Sequence, residues 1–190
     1  MTKLKISFNS PVILTFGAIC VVALILNIIT QGTSNMLLFT TYHTALTNPM
    51  TYIRFFTHVA GHAGWDHLIA NMAYILLLGP MLEEKYGSKK LLAVILITAA
   101  ATGLINYIFF WDVALCGASG VCFAFILLSS FTSFKDGEIP LTFILVAVIF
   151  LGQQVYEGIV LVDNVSNMAH IIGGLVGAVV GYNLNKKTYV

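Results

Sequence analysis

Long apolar runs, separated by short charged ones, organise this chain. The runs cover about 11–30, 63–82, 90–110, 117–134, 140–159 and 167–185. Each approaches the roughly 20 residues that an α-helix, rising about 1.5 Å per residue, needs to cross the hydrocarbon of a bilayer. The interruptions are abrupt. Glu83-Glu84-Lys85-Tyr86-Gly87-Ser88-Lys89-Lys90 separates the second run from the third, and Lys135-Asp136-Gly137-Glu138 followed by Pro140 separates the fourth from the fifth. Segment 31–62 differs: it is polar and aromatic and contains Asn48-Pro49. It is too broken to span, and is expected to form a structured loop between the first two spans, where long loops often carry function. The pattern predicts an all-α membrane protein, a six-transmembrane-helix bundle that is a single domain over residues 1–190.

Composition strengthens that reading. The 190 residues are 58% hydrophobic and only 9% charged, against about 25% charged in a soluble domain. Such a chain cannot maintain a water-exposed surface, so the lipid bilayer is expected to be its main solvent. The apolar run from Pro11 is too long for a signal-peptide core and lacks a small-x-small cleavage site, so it is read as a retained first span. A net charge of +1 implies no nucleic acid or other polyanionic partner. The distribution of charge says more. If the helices alternate in direction, Lys3, Lys5, Lys85, Lys89, Lys90, Lys135, Lys186 and Lys187 fall on one side and only Arg54 on the other. By the positive-inside rule both termini are cytoplasmic and the 31–62 loop faces outward, in the cell (inner) membrane. Cys20, Cys116 and Cys122 suggest neither a disulfide framework nor a zinc site, and read as small packing residues.

Polar residues within spans are costly and need a reason. Three groups stand out: His58, His62, His67 and Asn71; Gly117-Ala118-Ser119-Gly120; and Asn167 with His170. With the topology above, all three lie in the outer half of the membrane on helices running in the same direction, so they can line one pocket. Each also has a plainer reading. Small residues let membrane helices pack closely, and His67 and Asn71, four apart on one face, suit an interhelical hydrogen bond. Gly173, Gly177 and Gly181 form a packing stripe in any reading, with span four as a candidate neighbour. Taken together the groups suggest nucleophilic chemistry. A serine needs a base to take its proton, and His170 has a side chain that titrates near neutrality. Ser119, between glycines at a helix start, offers an unpaired backbone N–H to a developing oxyanion, with His67 and Asn71 as further donors. No carboxylate is placed for a triad, since Asp163 is expected in a turn. Asn167 remains an orienting or donor group, and the set reads as a Ser–His dyad. A proton or metal path through His58, His62, His67 and His170 is the alternative; the inner halves of the helices carry few polar groups to continue it.

These residues resemble the rhomboid family of intramembrane serine proteases. Gly117-Ala118-Ser119-Gly120 is similar to that family's G-x-S-G motif, His67-Leu68-Ile69-Ala70-Asn71 to its H-x-x-x-N motif, and Ala169-His170-Ile171-Ile172-Gly173 with Gly177 to its sixth helix. Arg54 matches the end of the outer loop, with Ile53 where a Trp is common, and Glu83 with Gly87 looks like the turn after the second span. Phe123 stands where Tyr is frequent; it can stack on His170 but cannot donate a hydroxyl. The resemblance implies the six-helix rhomboid core, a short fourth span beginning inside the membrane on the floor of a wet cavity, and cleavage of single-pass transmembrane protein substrates near the outer face. It implies Ser119 as nucleophile, His170 as general base, oxyanion stabilisation by His67, Asn71, the Ser119 N–H and Gly117, and support from Phe123 and Asn167. It implies no metal and no cofactor. Span five, with Gln153 and Gln154, is expected to flank lateral access for the substrate. A non-catalytic relative that only captures membrane clients is the other member of this class to weigh.

Overall fold

The structure, a computed structural model, describes residues 7–132, 138–160 and 164–185, without the side chains of 157–160 and 164–166. The described chain is helical: α1 Pro11–Ile29, α2 Thr33–Leu38, α3 Pro49–Thr57, a 3-10 turn at His58–Ala60, α4 Trp65–Tyr86, α5 Ser88–Phe109, α6 Ser119–Ser129, α7 Leu141–Val160 and α8 Asn164–Asn185. Lys3, Lys5, Lys135, Lys186, Lys187 and Asp163, all used in the sequence reading, lie outside the described residues.

Among the described residues, three helices are long and apolar enough to cross a membrane: α1, α5 and the Asn167–Asn185 part of α8. The fourth helix is where structure and pattern part. An apolar window of 117–134 was expected, but α6 runs for 11 residues and stops at Ser129. Ser129 and Ser130 both turn their hydroxyls back onto the Ile126 carbonyl, a local bond that competes with helix continuation. Eleven residues rise about 16 Å, about half of the hydrocarbon thickness. The family of apolar side chains left exposed on the outside, such as Val22 on α1, Leu77 on α4, Leu96 on α5 and Val148 on α7, suits lipid rather than water.

The ends of the helices sort into two groups. Glu83, near the end of α4, accepts hydrogen bonds from the first-turn N–H groups of α1, Val12 (3.0 Å) and Ile13 (3.1 Å), and from Ser88 Oγ (2.7 Å) at the start of α5. A carboxylate at a helix N-terminus satisfies orphan donors and meets the positive end of the dipole. Asn185 at the end of α8 donates to Tyr86 Oη (2.8 Å), Lys85 donates to the Thr132 carbonyl beyond α6, and the Phe131 ring packs on Phe143 of α7. So α1, α5 and α7 begin at the end of the bundle where α4, α6 and α8 finish. Lys85, Lys89 and Lys90 lie there, while Arg54 lies towards the other end, buried and bonded to Tyr42 Oη and Thr44 Oγ1, both at 2.8 Å.

The loop of residues 31–62 is ordered and mostly short helices. Asn48-Pro49, which reads as a break, is a helix start: Asn48 Oδ1 accepts from Met50 N at 3.0 Å and Pro49 takes the first helical position, where its missing N–H costs nothing. The loop also grips the segment before α6. Thr41 and Leu115 exchange two backbone hydrogen bonds of 2.9 Å, and Gly117 N donates to the His58 carbonyl at 2.9 Å.

Candidate active site

Gly117 sets the position of the residues that follow it. Its φ of 128° lies in territory that side chains disfavour, and a Cβ there would stand 2.7 Å from Nε2 of His67 and 3.7 Å from Nδ2 of Asn71. Only glycine both makes this turn and lets the two α4 side chains lie against the backbone. Helix α6 then begins at Ser119 with Ala118 as its cap, so no side chain covers the first-turn N–H groups, which have no partners inside the helix.

The crossing of α6 with α8 brings Ser119 and His170 to the same level. A Cβ on Gly173 would fall on the backbone of Gly120, and one on Gly177 on the backbone of Ala124; Gly181 meets the Phe131 ring. A Cβ on Gly120 would lie 3.4 Å from the carbonyl of Ala169, so the residue after Ser119 faces the residue before His170. The stripe of glycines on α8 therefore packs on α6 and the turn beyond it. On this crossing the Phe123 ring lies flat against the His170 imidazole, with centroids 4.3 Å apart and planes 5° apart. Phe150 of α7 meets Phe123 edge-on at 5.9 Å.

Ser119 and His170 stand on the wall of one cavity of about 300 Å³, shared with Ala70, Asn71 and Tyr74 of α4, Cys122, Phe123 and Ile126 of α6, and Phe150, Gln153 and Gln154 of α7. A larger groove of about 550 Å³ runs between α1, α3 and α5, but its walls are mainly apolar side chains such as Ile19, Phe39, Phe56, Leu92 and Leu96, with no nucleophile and base. Among the described residues no group of three or more His, Cys, Asp or Glu side chains is disposed to hold a metal ion.

The donors beside the cavity are set by a chain of histidines. His62 is buried, and its Nδ1–H donates to the Ala60 carbonyl at 3.1 Å, so its Nε2 accepts from Asn71 Nδ2 at 3.1 Å. Burial pushes its pKa down to about 4, the Ala60 bond opposing this weakly; the ring is neutral, as an acceptor must be. Two further amides, Asn27 Nδ2 (3.4 Å) and Asn35 Nδ2 (3.2 Å), hold the His62 carbonyl. In this way the loop and α1 orient Asn71. His67 Nδ1 accepts from Ala63 N at 3.4 Å, which leaves the proton of the neutral ring on Nε2, the atom against Gly117. His58 has a separate, structural position: Nδ1–H donates to the Arg54 carbonyl and Nε2 meets Thr102 Oγ1, each at 3.1 Å. Complete burial lowers its pKa to about 4 as well. Asn167 is buried on α8, three residues before His170.

With this geometry in place, comparison with known proteins is decisive on one point. A profile of the Rhomboid domain matches residues 49–187. The chain belongs to the rhomboid family. This rhomboid is 26% identical over 133 residues to the rhomboid protease GlpG of Haemophilus influenzae, covering 68% of each chain. It is 28% identical over 129 residues to RHOMBOID-like protein 7 of Arabidopsis thaliana, covering 65% of this chain and 40% of that one. It is also 29% identical over 138 residues to Rhomboid-related protein 1 of Caenorhabditis elegans, at 68% and 39%. The aligned stretch spans about half the length, or less, of the plant relatives, 40% and 53%.

One contact in this rhomboid was not foreseen from sequence. His170 Nδ1 lies 2.6 Å from Oε1 of Gln154, a buried residue of α7. The family resemblance places span five, with Gln153 and Gln154, beside substrate access, and the pair is polar in an apolar span. That same anomaly could have signalled a partner for an imidazole at equal depth, but nothing in the spacing says which helix faces which.

Proposed function

We propose that this rhomboid is a serine endopeptidase that hydrolyses peptide bonds in the transmembrane segments of single-pass membrane proteins, near the outer membrane face, with Ser119 and His170 as a dyad. The observation that carries the reading is the shared cavity: a serine at an uncapped helix start and an imidazole on the neighbouring helix line the same wall, with the Phe123 ring flat on the imidazole. The Haemophilus relative's name is that of a protease.

In this reading His170 takes the Ser119 proton as the hydroxyl attacks the scissile carbonyl. The oxyanion receives hydrogen bonds from the Ser119 N–H, Asn71 and His67 around Gly117. His170 then gives its proton to the leaving amine, and water, activated by the same base, releases the acyl group. Because α6 is short, its serine starts below the level of the longer helices, and the cavity above it admits water from outside. The bundle is a six-span domain over 1–190, with both termini cytoplasmic and a site that needs neither metal nor cofactor. Asn167 supports the α8 side of the site.

The test is covalent. A fluorophosphonate should label the purified protein at Ser119, and labelling should vanish in His170→Ala while thermal stability changes little. Loss of the nucleophile or the base should cost on the order of 10⁴-fold or more in cleavage of a transmembrane substrate. An intact protein that neither labels nor cleaves rejects the enzyme and leaves a client-binding relative.

A further inference from the structure

We propose that Gln154 of α7 is the positioning residue of the base: its amide oxygen accepts the Nδ1 proton of His170, leaves the lone pair on Nε2, and ties the competence of the site to the place of α7. The proposal rests on the reading of Ser119 and His170 as nucleophile and base.

A side-chain carbonyl oxygen only accepts, so a 2.6 Å contact between Gln154 Oε1 and His170 Nδ1 requires the proton to be on Nδ1. The neutral ring then carries its basic lone pair on Nε2. A general base needs this tautomer; the opposite one presents a proton where it should receive one. In a triad a carboxylate performs this task. Here a neutral amide does so, fixing the tautomer without supplying charge. Among the described residues the other titratable side chains on the cavity wall are Tyr74 and Cys122.

The bond also crosses between helices. Phe150, one turn before Gln154 on α7, meets the edge of Phe123, whose face lies on the same imidazole. Helix α7 thus touches the base twice, directly by the amide and through the stacked ring. A displacement of α7 by about 1 Å takes the amide past hydrogen-bond range. A site whose α7 has moved aside therefore loses the amide's hold on Nδ1 of His170, and regains it only when α7 returns.

Tautomer-sensitive ¹⁵N chemical shifts of the histidines, with His170 assigned by its loss in His170→Asn, should show His170 protonated on Nδ1 in the full-length protein. In Gln154→Leu the ring should become a mixture of tautomers, with kcat falling on the order of 10²-fold and KM nearly unchanged. Gln154→Glu should restore the Nδ1–H form and much of kcat, and should move the acid limb of the kcat profile to higher pH, because a carboxylate stabilises the imidazolium. A His170 protonated on Nε2 in the unsubstituted protein overturns the proposal, whether or not the variants fold. So does a Gln154→Leu protein with unaltered kcat. If the unsubstituted protein fails to label at Ser119 while His170 shows the Gln154-dependent tautomer, the protease reading falls and the positioning stands.

Discussion

Helices α6 and α7 both pack on α8, in opposite ways. α6 meets it backbone to backbone, through Gly173 on Gly120 and Gly177 on Ala124. α7 meets it at the site through a side chain, the Gln154 amide, and reaches it indirectly through Phe150 on Phe123 of α6, whose ring lies on His170. Backbone contacts of this kind have no rotamers to adjust, so the separation of Ser119 from His170 is set rigidly. Side-chain contacts can be made and broken by small helix movements. The molecule thus combines a fixed spacing of the two proposed reactive groups with an adjustable orientation of one of them.

The severest way to break this contrast is Gly173→Leu. The added side chain points into the Gly120 backbone, which cannot yield as a side chain does, and overpacking at such a site should cost about 3 kcal/mol or more. Thermal unfolding in detergent should show a large loss, or no folded protein at all; the equivalent change at Gly152 on α7, where an added Cβ meets nothing within 4 Å, should be well tolerated. A smaller effect is expected from fixing α7. Cysteines at Tyr74 of α4 and Phe150 of α7, both lining the cavity, can be joined by a short thiol crosslinker after the native cysteines are replaced. Cleavage of a transmembrane substrate should fall at least about tenfold, as for other gated sites, and should return on release of the link. Unaffected cleavage rejects lateral access past α7.

Much of the candidate site was legible because polar groups are costly in lipid. Ser119, His170, His67 and Asn71 are conspicuous against apolar runs, and the common direction of their helices follows from counting spans. The four-residue glycine repeat signalled a close crossing as well. The length of α6 was not legible in the hydropathy, which continues past Ser129; a short fourth span was implied only by the family resemblance, and the hydroxyls of Ser129 and Ser130 turn back onto the Ile126 carbonyl where the helix ends. Nor was the pairing of Gln154 with His170, which depends on the rotation of two helices that no periodicity records. The role of His62 was also hidden, since sequence puts it beside the other histidines without showing that it holds Asn71.

The smallest effect separates the two buried histidines of the loop region from the base. His58 and His62 have folded pKa values lowered to about 4 by burial, against about 6.5 when unfolded. The unfolded chain therefore binds more protons between these values. Stability is full above about pH 6.5 and declines as pH falls towards 4. Melting temperature should drop over that window, by about 2–4 °C for each kcal/mol lost in a chain of this size. A flat profile from pH 7 to pH 4.5 is the contrary result.

The grip of Glu83 on α1 carries a practical consequence. The family match opens at residue 49, yet a carboxylate inside it closes on the amides of Val12 and Ile13, well upstream. Trimming an expression clone to the homology border would strip that acid of two of its three donors and leave it only Ser88 Oγ. Anyone preparing a minimal version for reconstitution should keep the leading helix, and should expect a truncated product to rebind a synthetic peptide carrying residues 10–30.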